Sequence, residues 1–183
     1  MPLDESKVPI FFTHGNHDFY PGIQNVIVAA KRVNIRVLSD EIIDIKGVQI
    51  IGFPYNNKCI GSNAVAEAVH NLDKLENENG EKEQGCPDKI DKNKVSIALH
   101  HVPIGWDIFK EHRIELVLAG HTYGGQFFPF SILVKLVFPY LRGLYEDNGQ
   151  YMFVSDGVGT LDPPMRIDTS SEIAIFDLKK KNY

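Results

Sequence analysis

Apolar and polar positions alternate in blocks along this chain, and the blocks have two different periods. Val8 to Phe12 is a short apolar run that ends in the polar Gly15-Asn16-His17-Asp18, so it reads as a buried strand opening into a loop. Ile23, Val26, Ile27, Ala30 and Val33 then recur at helical spacing. Lys31 and Arg32 suit the end of that helix, and Asn34 suits its stop. Ile35 to Leu38, Ile42 to Ile45 and Val48 to Phe53 read as strands, the last two joined by a tight turn at Lys46-Gly47. Val65, Ala68, Val69, Leu72 and Leu75 predict a second amphipathic helix. Val95 to Leu99 predicts a strand, Ile104 to His112 a helix and Ile114 to Ala119 a strand; Tyr151 to Ser155 and Ile173 to Asp177 predict two more strands.

The alternation argues an α/β fold. The hairpins expected at Ile42 to Phe53 and near the C-terminus argue a mixed sheet. Residues 76–94 break the pattern: Cys86, Pro87 and Ile90 are their apolar members, and the rest predicts a solvated polar surface loop. Phe127 to Leu144 is the greasiest stretch, but Pro129, Lys135, Pro139 and Arg142 make it a poor spanning helix. Two readings stand for Phe127 to Phe138: core or lid packing, or an apolar lip that meets a lipid-linked substrate or a bilayer surface.

Composition narrows the class. A chain of 183 residues, 43% hydrophobic and 23% charged, predicts one globular domain over 1–183. A net charge of -5 argues against a general nucleic-acid binder, though bound cations leave a phosphorylated substrate open. Cys59 and Cys86 form no CxxC pair and read as free thiols of a reducing compartment. Met1 to Lys7 is polar and carries no signal-peptide pattern, so the expected location is cytoplasmic, with peripheral membrane contact through 127–138 where the apolar-lip reading holds.

The chemistry lies where apolar runs end. Three such runs lead into His-bearing loops: Gly15-Asn16-His17-Asp18, His100-His101-Val102-Pro103 and Gly120-His121-Thr122-Tyr123. They suggest one polar site at the carboxyl edge of a sheet, where open α/β sheets place ligands. His100 points to the opposite side of its strand from His101 and reads as structural. His14, His70 and His112 fit no motif and read as solvent-facing.

These motifs, in this order, resemble the calcineurin-like metallophosphoesterases over most of the chain. Gly15 to Asp18 looks like the family's third motif and His101-Val102-Pro103 its fourth. Gly120-His121-Thr122-Tyr123-Gly124-Gly125-Gln126 looks like its last, and His101 and His121 stand twenty positions apart, which suits the family's helix-strand unit. Val154-Ser155-Asp156-Gly157-Val158-Gly159, Pro163-Pro164-Met165-Arg166 and Ser171-Glu172-Ile173 are similar to a branch of often membrane-associated phosphodiesterases, some of which cleave the pyrophosphate of lipid-linked nucleotide sugars.

The resemblance implies an α/β/β/α mixed-sheet sandwich lacking its first βαβ portion, and metal-dependent hydrolysis of phosphodiester or pyrophosphate bonds by metal-bound water. It implies that Asn16, His101 and His121 hold the second metal, and that a nitrogen and oxygen shell suits Mn²⁺, Fe or Zn²⁺. It gives His17 the phosphate contact and a part in protonating the leaving group, with Asp18 orienting His17.

The chain also departs from the family. The Asp-x-His and Gly-Asp-x-x-Asp motifs have no match before Gly15. Tyr123 replaces the second His of the last motif, and Asp156 stands where relatives of this branch often carry Arg. Tyr123 and His100 are further candidates beside the three donors. The family uses two metals; one or none is expected here. Two explanations compete: a missing segment (a fragment, a wrongly placed start or one half of a split protein), or an inactive paralogue serving as a binding or regulatory module. Tyr123 favours the paralogue, and the intact Asn16, His101 and His121 set favours a recent loss or a missing piece.

Overall fold

The β-branched and aliphatic runs assemble into two sheets. A computed structural model describes residues 7–55, 90–161 and 164–179. In chain order the elements are β1 (Ile10–Phe12), α1 (Ile23–Arg32), β2 (Ile35–Val37), β3 (Glu41–Ile45), β4 (Val48–Phe53), β5 (Val95–His100), α2 (Trp106–Glu111), β6 (Leu116–Ala119), α3 (Phe130–Val137), β7 (Gly143–Asp147) and β8 (Gln150–Val154). The main sheet has six strands in the order β3-β4-β5-β6-β8-β7. Its four inner strands run parallel, and β3 and β7 close the edges antiparallel. The mixed α/β architecture expected from the sequence is therefore present.

Parallel inner strands must be covered on both faces, which explains their continuous apolar runs. Ile51, Phe53, Ala98, Val117, Met152 and Val154 supply the sheet's buried side chains, and Trp106 and Phe109 of α2 pack against them. Burying residues of this size stabilises the fold by roughly 1.5–3 kcal/mol each. α1 ends as predicted: Asn34 takes a φ of 58° directly after the last turn.

β1 pairs in parallel with β2, and among the described residues with β2 alone. This small sheet is tied to the large one where it matters for the site. The Leu38 amide donates to Phe12 O at 2.8 Å, and the Tyr55 amide donates to His14 O at 3.0 Å. Leu38 also lies flat against Gly52 of β4, where an added Cβ would come within 2.2 Å of Leu38 Cβ. The carboxyl ends of β1, β4, β5, β6 and β8 are thereby gathered on one side.

Three expectations change. Ile173 to Asp177 forms no strand; Ile173 is 83% and Ile175 92% exposed, and the Phe176 ring packs edge-on against Phe153 at 5.1 Å. The C-terminal hairpin is instead β7–β8, turned at Asn148-Gly149 with both φ values positive. The pair Asn-Gly is a strong hairpin signal, hidden in the sequence because the apolar stretch before it ran on to Leu144. Third, the polar loop does not stay solvated to its end. Ile90 is buried in the core, and the Gln49 side chain clamps Asp91 by accepting from its amide and donating to its carbonyl, both at 2.9 Å. The helix expected at Val65 to Leu75, residues 76–89, and Cys59, His70 and Cys86 lie outside the described residues. No helix among the described residues is long and apolar enough to cross a membrane.

Candidate metal centre

The three predicted donors converge at the shared strand edge. Asn16 opens a 3-10 turn (Asn16–Phe19) shortly after β1, His101 follows the last residue of β5, and His121 stands two residues beyond β6. His101 Nε2 lies 2.7 Å from Asn16 Oδ1 and 3.0 Å from His121 Nδ1. Donors bound at about 2.0–2.1 Å to one cation sit roughly 3 Å apart, so the spacing fits a shared divalent ion. Among the described residues no three His, Cys, Asp or Glu side chains surround a common point. The set therefore depends on the Asn16 amide.

Local backbone makes room for this meeting. A Cβ on Gly15 would fall 2.6 Å from the His101 ring, so only glycine lets that imidazole lie against the turn. Asp18 Oδ2 accepts from the Gly15 amide at 2.6 Å and closes the turn that presents Asn16 and His17.

The imidazoles are held neutral. Burial, with smaller contributions from the neighbouring histidines, drives His101 to about 3. Burial first and His17 second push His121 below the ordinary histidine value. A metal needs the free lone pair of a neutral imidazole, so these shifts favour ligation over protonation.

The remaining candidates divide. His17 is exposed beside the donors, its ring edge-on to Tyr20 at 5.1 Å. Asp18 makes no hydrogen bond to His17; its carboxylate serves the Gly15 amide and acts electrostatically on His14. The expected Asp18–His17 pairing is thus replaced by a backbone contact within the same turn. His100 turns away from the donors as strand alternation predicts, into edge contacts with Phe53 and Phe109. Burial lowers it to about 4, against a smaller pull from the Phe53 backbone. His14, expected at the surface, is buried and packs edge-on to Phe19, and burial depresses its pKa. The clue lay in its place: it stands directly before Gly15, where its carbonyl accepts from the Tyr55 amide just beyond β4. His112, also expected at the surface, is half-buried.

Tyr123 does not join the donor cluster through any contact of its ring with Asn16, His101 or His121. Its ring stands 6.0 Å from the Arg166 guanidinium, and its carbonyl accepts from Arg166 Nη1 at 3.2 Å. The turn that carries it is strained. His121, Tyr123 and Gln126 have φ values of 72°, 52° and 54°, in a region that costs an L-residue other than Gly about 1–2 kcal/mol. Sequence reasoning missed what holds it: the Gln126 side chain brackets Leu161, and Thr122 Oγ1 donates to Leu141 O at 2.6 Å.

α3 leaves this turn with an apolar face outward. Ile132, Leu133, Leu136 and Val137 are exposed, and Phe128 lies just before them. Phe138, at its end, packs edge-on against the His121 ring at 5.4 Å. The segment thus touches the site at one end and presents aliphatic surface along its length, so it is not buried core.

Comparison with known proteins agrees with the residues. The model of the calcineurin-like phosphoesterase family matches residues 1–125. The chain is 34% identical over 187 residues to an uncharacterized metallophosphoesterase of Helicobacter pylori strain J99, covering 100% of this chain and 46% of the relative. It is 35% identical over 179 residues to the uncharacterized metallophosphoesterase Cj0846 of Campylobacter jejuni, covering 93% and 42%. It is 27% identical over 179 residues to a Bos taurus transmembrane protein with metallophosphoesterase domain, covering 92% and 38%. The chain thus spans under half the length of these relatives. No solved structure matches it. With its ordered motifs, its mixed sheet and a family match over more than half its length, this chain belongs to the calcineurin-like phosphoesterases.

Proposed function

We propose that this chain carries a divalent-metal site for hydrolysing phosphodiester or pyrophosphate bonds. The convergence of Asn16 Oδ1, His101 Nε2 and His121 Nδ1 within 3.0 Å of their neighbours carries the reading. Asn16, His101 and His121 hold the cation, and Mn²⁺, Fe or Zn²⁺ suits their nitrogen and oxygen atoms. When bound, such an ion neutralises phosphoryl charge and acidifies water. The exposed His17 imidazole contacts the phosphate and hands a proton to the leaving oxygen. Asp18 holds the turn that aims His17. Asn16, being uncharged, leaves the site more electropositive toward an anionic ester than a carboxylate would.

The substrate is a phosphorylated compound, and a lipid-linked one fits best. The outward face of α3, with Ile132, Leu133, Leu136 and Val137 exposed, gives an acyl or prenyl chain a surface beside His121. The same face lets the protein rest on a bilayer from the cytoplasmic side. A net charge of -5 argues against a general nucleic-acid binder.

Purified chain with Mn²⁺ should turn over bis-p-nitrophenyl phosphate, and His121→Ala should abolish it. Equal rates in the two proteins would overturn the proposal. A second reading, an inactive module that keeps the fold, is favoured by the engagement of Tyr123 with Arg166. It expects at most one metal per chain and no hydrolysis; elemental analysis finding two tightly held metals refutes it.

A further inference from the structure

Arg166 belongs to the tail motif Pro163-Pro164-Met165-Arg166, which the proposed chemistry leaves without a role. It lies at the seam between two neighbouring strand ends. Its Nη1 donates to Tyr123 O at 3.2 Å and to Thr169 Oγ1 at 3.3 Å. Its Nη2 donates to Asp156 O at 2.7 Å, to Gly157 O at 3.2 Å and to Gly159 O. One guanidinium thus joins the turn after β6 to the turn after β8, its parallel neighbour.

The turn after β6 needs an outside anchor. Of the six residues from His121 to Gln126, only Thr122 avoids positive φ, and such conformations persist where surrounding structure over-determines them. The β8 side is itself fixed: Glu172 Oε1 accepts from the Asp156 amide at 2.7 Å, and Ser171 Oγ donates to Val158 O at 3.1 Å. From that fixed side Arg166 reaches across to Tyr123, two residues beyond the His121 imidazole. At the far end of the turn, Thr169 Oγ1 donates to Gln126 O at 3.1 Å and the Ile167 amide to the same carbonyl at 3.0 Å.

We infer that Arg166 is the positioning residue of the metal centre, the guanidinium strap that sets where His121 stands against His101. The geometry demands arginine. The two Nη groups of a planar guanidinium reach four carbonyls and one hydroxyl on two segments at once, whereas a lysine offers one compact charge on a flexible stem. The inference rests on reading His121 as a donor, but its decisive measurement needs no metal.

The test uses the whole chain with isotope-labelled histidine. Imidazole NMR spectra are recorded without metal, followed by Co²⁺ titration, for the wild type, Arg166→Ala, Arg166→Lys and Lys110→Ala. Lys110 is the control: it pairs with Asp107 and Asp147 beside the start of β8, at the opposite end of the sheet. Both Arg166 variants should displace or broaden the His121 and His101 ring signals and weaken Co²⁺ binding about 10- to 100-fold. Lys110→Ala should lower the melting temperature while leaving those rings alone. Ring signals in Arg166→Lys that superimpose on the wild type would overturn the inference, as would equal movement in Lys110→Ala. Arg166→Lys decides alone if Arg166→Ala does not fold. A wild type that binds no Co²⁺ would count against the proposed function, and the metal-free ring signals would still decide the role of Arg166.

Discussion

The turn after β5 and the turn after β6 deliver one imidazole each to the same point, by opposite means. His101 follows directly on a strand, beside the buried Val102 and Pro103, and its position is set by the sheet itself. His121 starts a turn in which three residues other than Gly have positive φ, fastened by Thr122, Gln126, Thr169 and Arg166 to segments up to 43 residues away. One donor is placed by secondary structure and the other by a tertiary clasp. Changes near His101 should therefore act through sterics on the ring, and changes near His121 through the backbone that holds the turn.

The largest effect is expected where the clasp meets α3. Gly125 has a φ of 82°, and a Cβ there would fall 2.5 Å from Ser131 Cα. Gly125→Ala should cost about 2–4 kcal/mol in denaturant unfolding; a loss below 1 kcal/mol would mean the turn yields freely and the contrast is false.

On the β5 side, Gly15→Ala meets a side chain instead of backbone. The added methyl would press on the His101 ring, costing about 1–2 kcal/mol and weakening metal binding at least as much as it weakens the fold. Unchanged imidazole signals for His101 would show that the ring can slide aside.

Acid should weaken both donors together. His100, His101, His121 and His14 all have folded pKa values below the ordinary one. Below about pH 6.5 the unfolded chain then binds more protons than the folded one. Stability of the metal-free protein should fall as the pH drops from about 6.5, by up to about 1.4 kcal/mol per unit for each of His100 and His101. The loss should continue toward about 4 for His100 and about 3 for His101. His100→Phe should remove one share of that slope, since aromatic rings already surround it. An unaltered slope in urea titrations at several pH values would show that His100 carries none of it.

The smallest effect belongs to strain alone. Tyr123→Gly relieves a φ of 52° but gives up the ring contact with Arg166. The net change should stay within about 1 kcal/mol, read as a small shift in melting temperature. A larger loss would mean that the ring contact, and not the carbonyl, is what Arg166 holds.

Much of this was legible in the residues. The helix ending at Asn34, the Lys46-Gly47 hairpin and the four inner strands follow from period and turn chemistry, because each is a local contest between side-chain pattern and solvent. So does the placing of the His101 and His121 loops at one edge, which the parallel β5 and β6 impose, whereas Asn16 arrives from β1 of the smaller sheet and not from the single sheet expected. The buried His14, the Gly15 backbone as the partner of Asp18 and the burial of Ile90 were not legible, because each depends on which distant surface closes over the residue. The strand expected at Ile173 to Asp177 failed for the same reason: an alternating apolar pattern becomes a strand only where it lies along a strand edge, and this segment meets β8 through the Phe176 ring instead.

By itself, the order of apolar runs and histidine loops determined that this is a mixed α/β phosphoesterase-family chain with an amide and two imidazoles at the carboxyl ends of its strands. The tertiary structure decided how firmly each donor is held. Hydrophobic period and turn residues act over a few positions and can be read along the chain, whereas the strain at His121 and the Arg166 strap that opposes it exist only once β6 and β8 lie side by side.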